Sequence, residues 1–147
     1  MAYITNADIE TRLGSQTYVQ LTDDDGDGVG DVGVIDEARL AAEGEANSYL
    51  ARRYAVPVDV SRHAELAGIL ATITLDLVEF RLRGRRPPVS RSAERQHALA
   101  IRWLRAAAEG AIRLPALAEV AGSASGGPVA EARGPKRLLS REELSEL

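Results

Sequence analysis

The sequence predicts an all-α protein: a small helical bundle with three longer helices, short N-terminal helices and an extended C-terminal arm. Three long stretches repeat apolar side chains with the 3.6-residue period of a helix, and glycine or proline separates them. Alanine occupies 24 of the 147 positions, whereas aromatic residues occupy six. Small helix-forming side chains in this proportion indicate closely packed helices in one domain with a modest core.

The first two elements are predicted to be short helices. Thr5 followed three residues later by Asp8 forms the pattern of a capping box, which begins the first helix. Gly14 supplies a left-handed stop, and a second helix is predicted over residues 15–21. An acidic loop at residues 22–33 then separates these elements from the longer helices.

Three longer helices are predicted over residues 34–54, 62–83 and 92–109. Pro57 ends the first, because the residue before a proline is pushed away from helical angles. Ser61 is the predicted N-cap of the second, and Gly110 stops the third. The second helix is apolar on two sides, which is typical of a helix that is central to the fold or shared with a neighbouring subunit. The periodicity leaves both alternatives open.

The composition changes beyond residue 114. Residues 115–135 are rich in glycine, alanine and serine, and we expect a flexible linker. Residues 136–147 form a predicted docking arm with apolar side chains at Leu138, Leu139 and Leu144. Such an arm is too short to fold alone, since isolated helices below about 12 residues are marginal in water. It docks on its own domain or on a partner, or it is a disordered tail.

The acidic loop is the most constrained stretch of the chain. The ligands at positions 1, 3, 5 and 9 of a calcium loop would be Asp23, Asp25, Asp27 and Asp31. Gly28 occupies the position of the sharp turn, but Val34 stands where an EF-hand needs a bidentate glutamate. A calcium site here is therefore weak, or Asp36 or Glu37 closes it, or backbone amides replace the ion. We favour calcium, because five like charges within nine residues repel one another.

The second charged cluster, here called the arginine turn, is basic and surrounds the proline turn between the last two long helices. It contains Arg81, Arg83, Arg85, Arg86, Arg91 and Arg95. In the simplest interpretation these cations are solvated and suit the dipole of a helix C-terminus. Alternatively they contact DNA phosphates or an acidic surface, such as the acidic loop of a neighbouring subunit in a head-to-tail ring.

Catalytic chemistry has little support in the sequence. The chain has no cysteine, its only lysine is Lys136, and it lacks a phosphate-binding glycine loop and a nucleophilic serine motif. His63 and His97 lack a metal-ligand spacing, and His97 is interpreted as a packing residue. The net charge of −4 is unfavourable for a protein that coats nucleic acid. We expect no enzyme, no signal peptide and no membrane span.

Several motifs, taken in order, resemble a known family. Leu21-Thr22-Asp23 leads into the acidic loop, residues 46–57 read ANSYLARRYAVP, residues 100–104 read AIRWL, and residues 136–144 read KRLLSREEL. This combination resembles the Mu-like tailed-phage head–tail connector (adaptor or neck) protein family. The resemblance covers most of the chain, apart from residues 115–135.

The resemblance implies a structural virion protein without catalytic residues. Residues 1–114 would form a helical connector domain that assembles in the host cytoplasm into a homo-oligomeric ring, with a dodecamer expected. The ring would lie between the portal protein and a tail or stopper protein, and DNA would pass through it without sequence-specific binding. Contacts to neighbouring subunits or to the portal are assigned to Arg81, Arg83, Arg85, Arg86, Arg91, Leu138, Leu139 and Leu144.

Two alternatives come from other functional classes. One is a calcium-dependent protein-binding module centred on the acidic loop. The other is a DNA-binding regulator that uses the arginine turn, and its affinity for duplex DNA would fall steeply with salt.

Overall fold

A computed structural model describes residues 2–114 and 117–120, and its regular structure is helical. The elements are α1 (Asn6–Leu13), α2 (Ser15–Thr22), α3 (Val32–Leu50), α4 (Ala64–Gly84) and α5 (Arg91–Glu109). Apart from one isolated bridge between Tyr54 and Glu119, these described residues form no β-structure. The all-α prediction is confirmed. The predicted docking arm and most of the predicted linker lie outside the described residues.

Helix α1 begins as the sequence predicts. The Asp8 amide donates to Thr5 Oγ1 at 3.3 Å, and the Thr5 amide donates to Asp8 Oδ2 at 2.7 Å, which completes the capping box. Gly14 ends the helix with φ +79° and ψ 143°, so it has a positive φ but not the left-handed helical conformation that we predicted. The reason is that the same residue is also the N-cap of α2, which starts at once.

Helix α3 ends at Leu50, four residues before its predicted end, and Pro57 is not what ends it. The chain leaves the helix to pair with a later segment. The Val120 amide donates to the Arg53 carbonyl at 2.8 Å, and the Arg53 guanidinium binds the Glu119 carboxylate with two hydrogen bonds of 2.8 and 3.1 Å. Tyr54 is buried there, and its hydroxyl accepts a hydrogen bond from the Leu114 amide. This long-range pairing overrides the local helical periodicity.

Helix α4 begins at Ala64, two residues after its predicted start. Ser61 is not the N-cap, because its amide and its hydroxyl both donate to the Asp59 carboxylate in a separate turn. The prediction is closer for α5, which begins one residue before its predicted start and ends where predicted. Ser90 caps α5 by accepting from the Ala93 amide, and Gly110 ends it in the left-handed conformation with φ +81° and ψ 8°.

Helix α4 is central to the fold, as the first of the two alternatives for its double apolar character predicted. It packs against α1, α2, α3 and α5. Leu70 and Leu77 of its first apolar stripe are buried, and so are Val78 and Leu82 of the second. The neighbouring helices present small side chains, and Ala42, Ala46, Ala100 and Ala107 are all buried. Within the described part of the chain, no helix is both long and apolar enough to span a membrane.

Candidate functional site

The acidic loop and the arginine turn contact each other within one chain. The Arg85 guanidinium binds the Asp24 carboxylate and donates to the Leu21 carbonyl oxygen at 2.7 Å. Arg86 donates to the Asp23 carbonyl oxygen at 2.9 Å and lies 3.5 Å from the Asp24 carboxylate. One alternative from the sequence was that these clusters contact each other between subunits of a ring. In the structure Arg85 and Arg86, in the turn that follows α4, contact the loop that follows α2 of the same chain, and contacts between subunits stay a prediction.

Backbone amides neutralise the first carboxylate of the loop. Asp23 accepts from the Gly26 amide at 2.6 Å through Oδ1 and from the Gly28 amide at 2.9 Å through Oδ2. Both glycines have a positive φ, +81° and +84°, which other residues adopt at a cost. The donated hydrogen bonds from Gly28 and Gly26 hold the pKa of Asp23 below its ordinary value of 3.8.

The next two carboxylates of the loop make shorter-range turns. Asp25 Oδ1 accepts from the Asp27 amide at 3.1 Å, and Asp27 Oδ1 accepts from the Val29 amide at 2.8 Å. The first of these hydrogen bonds favours ionised Asp25. Repulsion by the neighbouring carboxylates and desolvation outweigh it, so the pKa of Asp25 is raised. The two aspartates Asp23 and Asp25 therefore have opposite pKa shifts within one loop.

Three of the four predicted calcium ligands converge. Asp23, Asp25 and Asp27 each offer a carboxylate oxygen within 4.8 Å of the other two. Two oxygens on opposite sides of one calcium ion lie roughly 5 Å apart, so these three oxygens fit around such an ion. Asp31 does not join them, because its carboxylate accepts from the Asp24 amide at 2.8 Å.

Asp36 and Glu37, which were proposed to close the calcium loop, do not join the three converging carboxylates. Asp36 accepts from the Asn6 side-chain amide at 3.0 Å and from Arg39 at 3.2 Å. Glu37 lines a groove between α3 and α4, together with Arg81 and Arg85. The loop thus supplies three carboxylate ligands, and calcium binding stays a prediction.

The remaining predicted contact residues divide into paired and exposed groups. Arg81 donates to Glu45 of α3 at 2.6 Å, and Arg83 donates to Glu79 of its own helix at 2.8 Å. Arg91 is exposed at the start of α5. Leu138, Leu139 and Leu144 lie outside the described residues. Among the described residues, four of the six arginines of the arginine turn therefore pair with acids of their own subunit.

Sequence reasoning missed an ion-pair network that joins three helices. Arg12 of α1 binds Asp76 and Glu79 of α4 and donates to the Gln96 side chain of α5 at 2.9 Å. The carboxylate side chains of both acids are 12 % exposed. These partners lie more than 60 positions from Arg12, and no local pattern in the sequence indicates them.

The sequence analysis also missed that apolar side chains are exposed to solvent, in α3 and in the loop that precedes it. Val29, Val32 and Leu40 are exposed by 64 %, 63 % and 60 % of their surface. A sequence signal existed for Leu40, since it falls outside the stripe that contains Ile35, Ala42 and Ala46. Val32 and Leu40 lie about two turns apart along the helix.

The two histidines occupy separate places. The ring of His97 stacks on Phe80, with centroids 4.0 Å apart and an interplanar angle of 22°. This stacking between α4 and α5 agrees with the packing role that we predicted. His63 lies before α4, and its Nδ1 is 3.7 Å from the Glu65 carboxylate.

Comparison with known proteins gives one family. The family model described as "Bacteriophage Mu, Gp36" matches residues 3–131, and no curated protein matches the chain. The match includes most of the predicted linker and ends before residues 136–144. From the sequence we had expected the resemblance to exclude residues 115–135 and to include residues 136–144. It spans all five helices, the acidic loop and the arginine turn. The chain therefore belongs to the bacteriophage Mu Gp36 family.

Proposed function

We propose that this phage protein is a head–tail connector (adaptor) subunit, which forms a ring between the portal protein and a tail or stopper protein. The observation that carries the proposal is the family match over residues 3–131, which makes the chain a Mu-type phage protein. A ring of twelve subunits in the neck of the virion is the expected assembly. The role is structural, and no catalytic step is assigned to any residue.

The exposed apolar side chains around α3 support an assembling subunit. Val29, Val32 and Leu40 are more than half exposed, although the rest of α3 packs well against its own domain. A head-to-tail ring buries a different surface of each subunit in each contact. We assign Val32 and Leu40 to the contact with the neighbouring subunit, because burying exposed apolar area is the dominant favourable term in association.

The charge distribution suits a channel through which DNA moves. The net charge is −4, and Arg81, Arg83, Arg85 and Arg86 each pair with an acidic group of the same chain. Binding to duplex DNA depends on unpaired cations that replace counterions at the phosphates. A ring of such subunits would attract DNA weakly, which favours passage and disfavours the alternative of a DNA-binding regulator.

Co-sedimentation with the portal protein of the same phage tests the connector role and the α3 contact separately. The wild-type chain should sediment with the portal as a large complex. Leu40→Glu should reduce this complex by at least about tenfold, since each 1.4 kcal/mol of lost contact energy is a factor of ten. Gln16→Glu, which adds the same charge at an exposed position of α2, is the matched control and should assemble normally.

The possible failures of this experiment are distinguishable. If the wild-type chain never sediments with the portal, the connector role is wrong. If the wild-type chain assembles and Leu40→Glu assembles equally well, the connector role stands and the assignment of Leu40 to the subunit contact is wrong.

A calcium-dependent protein-binding module is the second candidate, and the convergence of the Asp23, Asp25 and Asp27 carboxylates favours it. Replacing Asp25 and Asp27 together with Asn should then lower the melting temperature in calcium but not in the presence of a chelator. An equal decrease in melting temperature under both conditions would indicate that backbone amides and arginines, rather than calcium, stabilise the loop. A calcium titration of the wild-type chain should raise its stability by mass action if the ion binds the folded state.

A further inference from the structure

The outer face of α5 carries an apolar strip that its own domain covers only in part, since Trp103 and Ile112 pack against the core but are not fully buried. Leu99, Trp103 and Ala106 follow one another at helical spacing, and Leu99 is 55 % exposed. Ile112 adjoins them where the chain leaves the helix, and its amide donates to the Ala106 carbonyl oxygen at 3.0 Å. Together with Arg102 these four residues line a shallow groove of about 290 Å³. We call this surface the α5 groove.

The border of the α5 groove is positively charged. Arg102 lines it, and Arg95 joins Arg102 and Leu99 around the adjoining depression. The described residues that line these two depressions include no aspartate or glutamate. Within the described residues, the Arg95 guanidinium makes a single hydrogen bond, to the Arg91 carbonyl oxygen at 3.4 Å, and no ion pair. The groove therefore suits a segment that is apolar in the middle and acidic at its edges.

The sequence of residues 138–147, LLSREELSEL, has that chemistry. It contains four leucines, and three glutamates against one arginine give it a net negative charge. Ser140 and Glu143 match the pattern of a capping box, and Leu144 and Leu147 lie one helical turn apart. So short a helix is marginal alone in water and needs a surface that stabilises it.

We propose that in the unassembled subunit residues 138–147 bind the α5 groove of their own chain, with the leucines against Leu99 and Trp103 and the glutamates beside Arg95 and Arg102. The connecting residues 121–137 span up to about 60 Å when extended, which is ample for a small domain. As a flexible chain they would have a root-mean-square length of about 23 Å. A tether of this size gives an effective concentration in the millimolar range, so docking within the chain outcompetes docking between dilute copies.

Trp103 reports on this contact, because it is the only tryptophan and lines the groove. The experiment uses the full chain without portal and measures Trp103 emission and its quenching by acrylamide. Leu138→Ser, Leu139→Ser and Leu144→Ser combined should shift the emission to longer wavelength and increase quenching by roughly two-fold, as the indole becomes wet. The combined variant Val129→Ser, Ala130→Ser and Ala132→Ser lies in the same part of the chain and should behave like the wild type.

Charge reversal gives a second test that does not touch the leucines. Arg95→Glu and Arg102→Glu combined should produce the same roughly two-fold increase in quenching, and high salt should weaken docking in the wild type by screening. Arg105→Glu, exposed on α5 but not part of the groove, is the control. Urea unfolding of each variant checks that the domain itself is intact.

Two results would overturn the proposal. One is identical Trp103 emission and quenching in the wild type and the triple leucine variant. The other is protection of Trp103 that disappears on roughly hundred-fold dilution of the wild type, because docking within one chain is independent of concentration. The second result would assign the groove to a neighbouring copy. Neither outcome depends on the connector role, since no portal is present.

Discussion

Gly30 is the residue at which the acidic loop meets the hydrophobic core. It is buried, and a Cβ atom there would lie 2.5 Å from Thr22 Oγ1 and 2.8 Å from Tyr18 Cε1. Thr22 is fully buried, and its hydroxyl donates to the Tyr18 carbonyl oxygen at 2.7 Å, so it cannot move aside without losing that hydrogen bond. The absence of a side chain at Gly30 is what lets the loop approach α2.

Gly30→Ala should therefore destabilise the domain by about 1–3 kcal/mol, the usual cost of overpacking. Gly44→Ala is the matched control, because it lies inside α3 with no atom within 4 Å of the added methyl group. That control should gain up to about 1 kcal/mol from helix propensity. Urea unfolding measures both changes. A Gly30→Ala variant as stable as the wild type would contradict the close approach.

Asp23 and Asp25 should respond to pH in opposite directions, because their pKa shifts have opposite signs. The pKa of Asp23 is lower in the folded than in the unfolded chain. Its stabilisation is therefore present above about pH 4 and is lost as the pH falls through the folded pKa. The pKa of Asp25 is higher in the folded chain, so its ionisation costs stability as the pH rises through that value.

At neutral pH without calcium, Asp23→Asn should lower the urea midpoint and Asp25→Asn should raise it. Asp23 uses both carboxylate oxygens as acceptors, and Asn offers one. Asp25→Asn removes a charge that its neighbours repel. The difference between the two variants should shrink as the pH falls through the lowered pKa of Asp23, where both carboxylates become protonated in the wild type. Two variants with the same pH dependence would refute this account of the loop.

At the scale of the helices, Arg12 fixes α1 to both α4 and α5. It is the cation beside two acids whose side chains are 12 % exposed. Burial raises the pKa of Asp76, the charge and hydrogen bond of Arg12 lower it, and the charge of Glu79 raises it again; the net shift is upward. Because the folded pKa is raised, ionisation of Asp76 costs stability as the pH rises through it.

Arg12→Gln should destabilise the domain by about 2–3 kcal/mol at neutral pH, since it leaves the largely buried Asp76 carboxylate without its cation and Glu79 with Arg83 alone. The loss should decrease as the pH falls towards the pKa of Asp76, where protonation removes one of the charges. Arg105→Gln, an exposed position on α5, is the control and should change stability by less than about 0.5 kcal/mol. Chemical unfolding at several pH values measures this, and a loss independent of pH would contradict the role assigned to Asp76.

The helices themselves were predictable because their signals are local. The capping box at Thr5 and the stop at Gly110 act within a few residues, and both are found where the sequence indicates. The end of α3 was not predictable, since Arg53 and Tyr54 leave the helix to pair with residues far along the chain. Ser61 misled the prediction for α4 because a nearby aspartate, Asp59, competes for its hydrogen bonds.

The candidate site was predictable in composition but not in arrangement. The spacing of Asp23, Asp25 and Asp27 anticipated that their carboxylates converge. Nothing in the spacing indicates that Arg85 and Arg86 reach across the fold to Asp24, because α4 must first be packed against α2 and α3. Charged clusters that are distant in sequence can pair within one subunit or between subunits, and only the fold decides which.

For the whole molecule, the pairing of the two charged clusters inside one chain changes how a ring would form. Arg85 and Arg86 are already paired with the acidic loop of their own chain, so we expect contacts between subunits to rely on other surfaces as well. The exposed apolar side chains of α3, Val32 and Leu40, are the surface that we assign to that contact. The membership of the chain in the bacteriophage Mu Gp36 family makes a virion assembly the natural context.

Negative-stain imaging of the wild-type chain with purified portal protein of the same phage tests the connector role most directly. The account predicts closed rings stacked coaxially on the portal, with an open central channel and the twelvefold symmetry expected for the assembly. Rings of another symmetry on the portal would correct the stoichiometry alone. The absence of both a ring and a portal complex, from a chain that is folded in solution, would contradict the proposal.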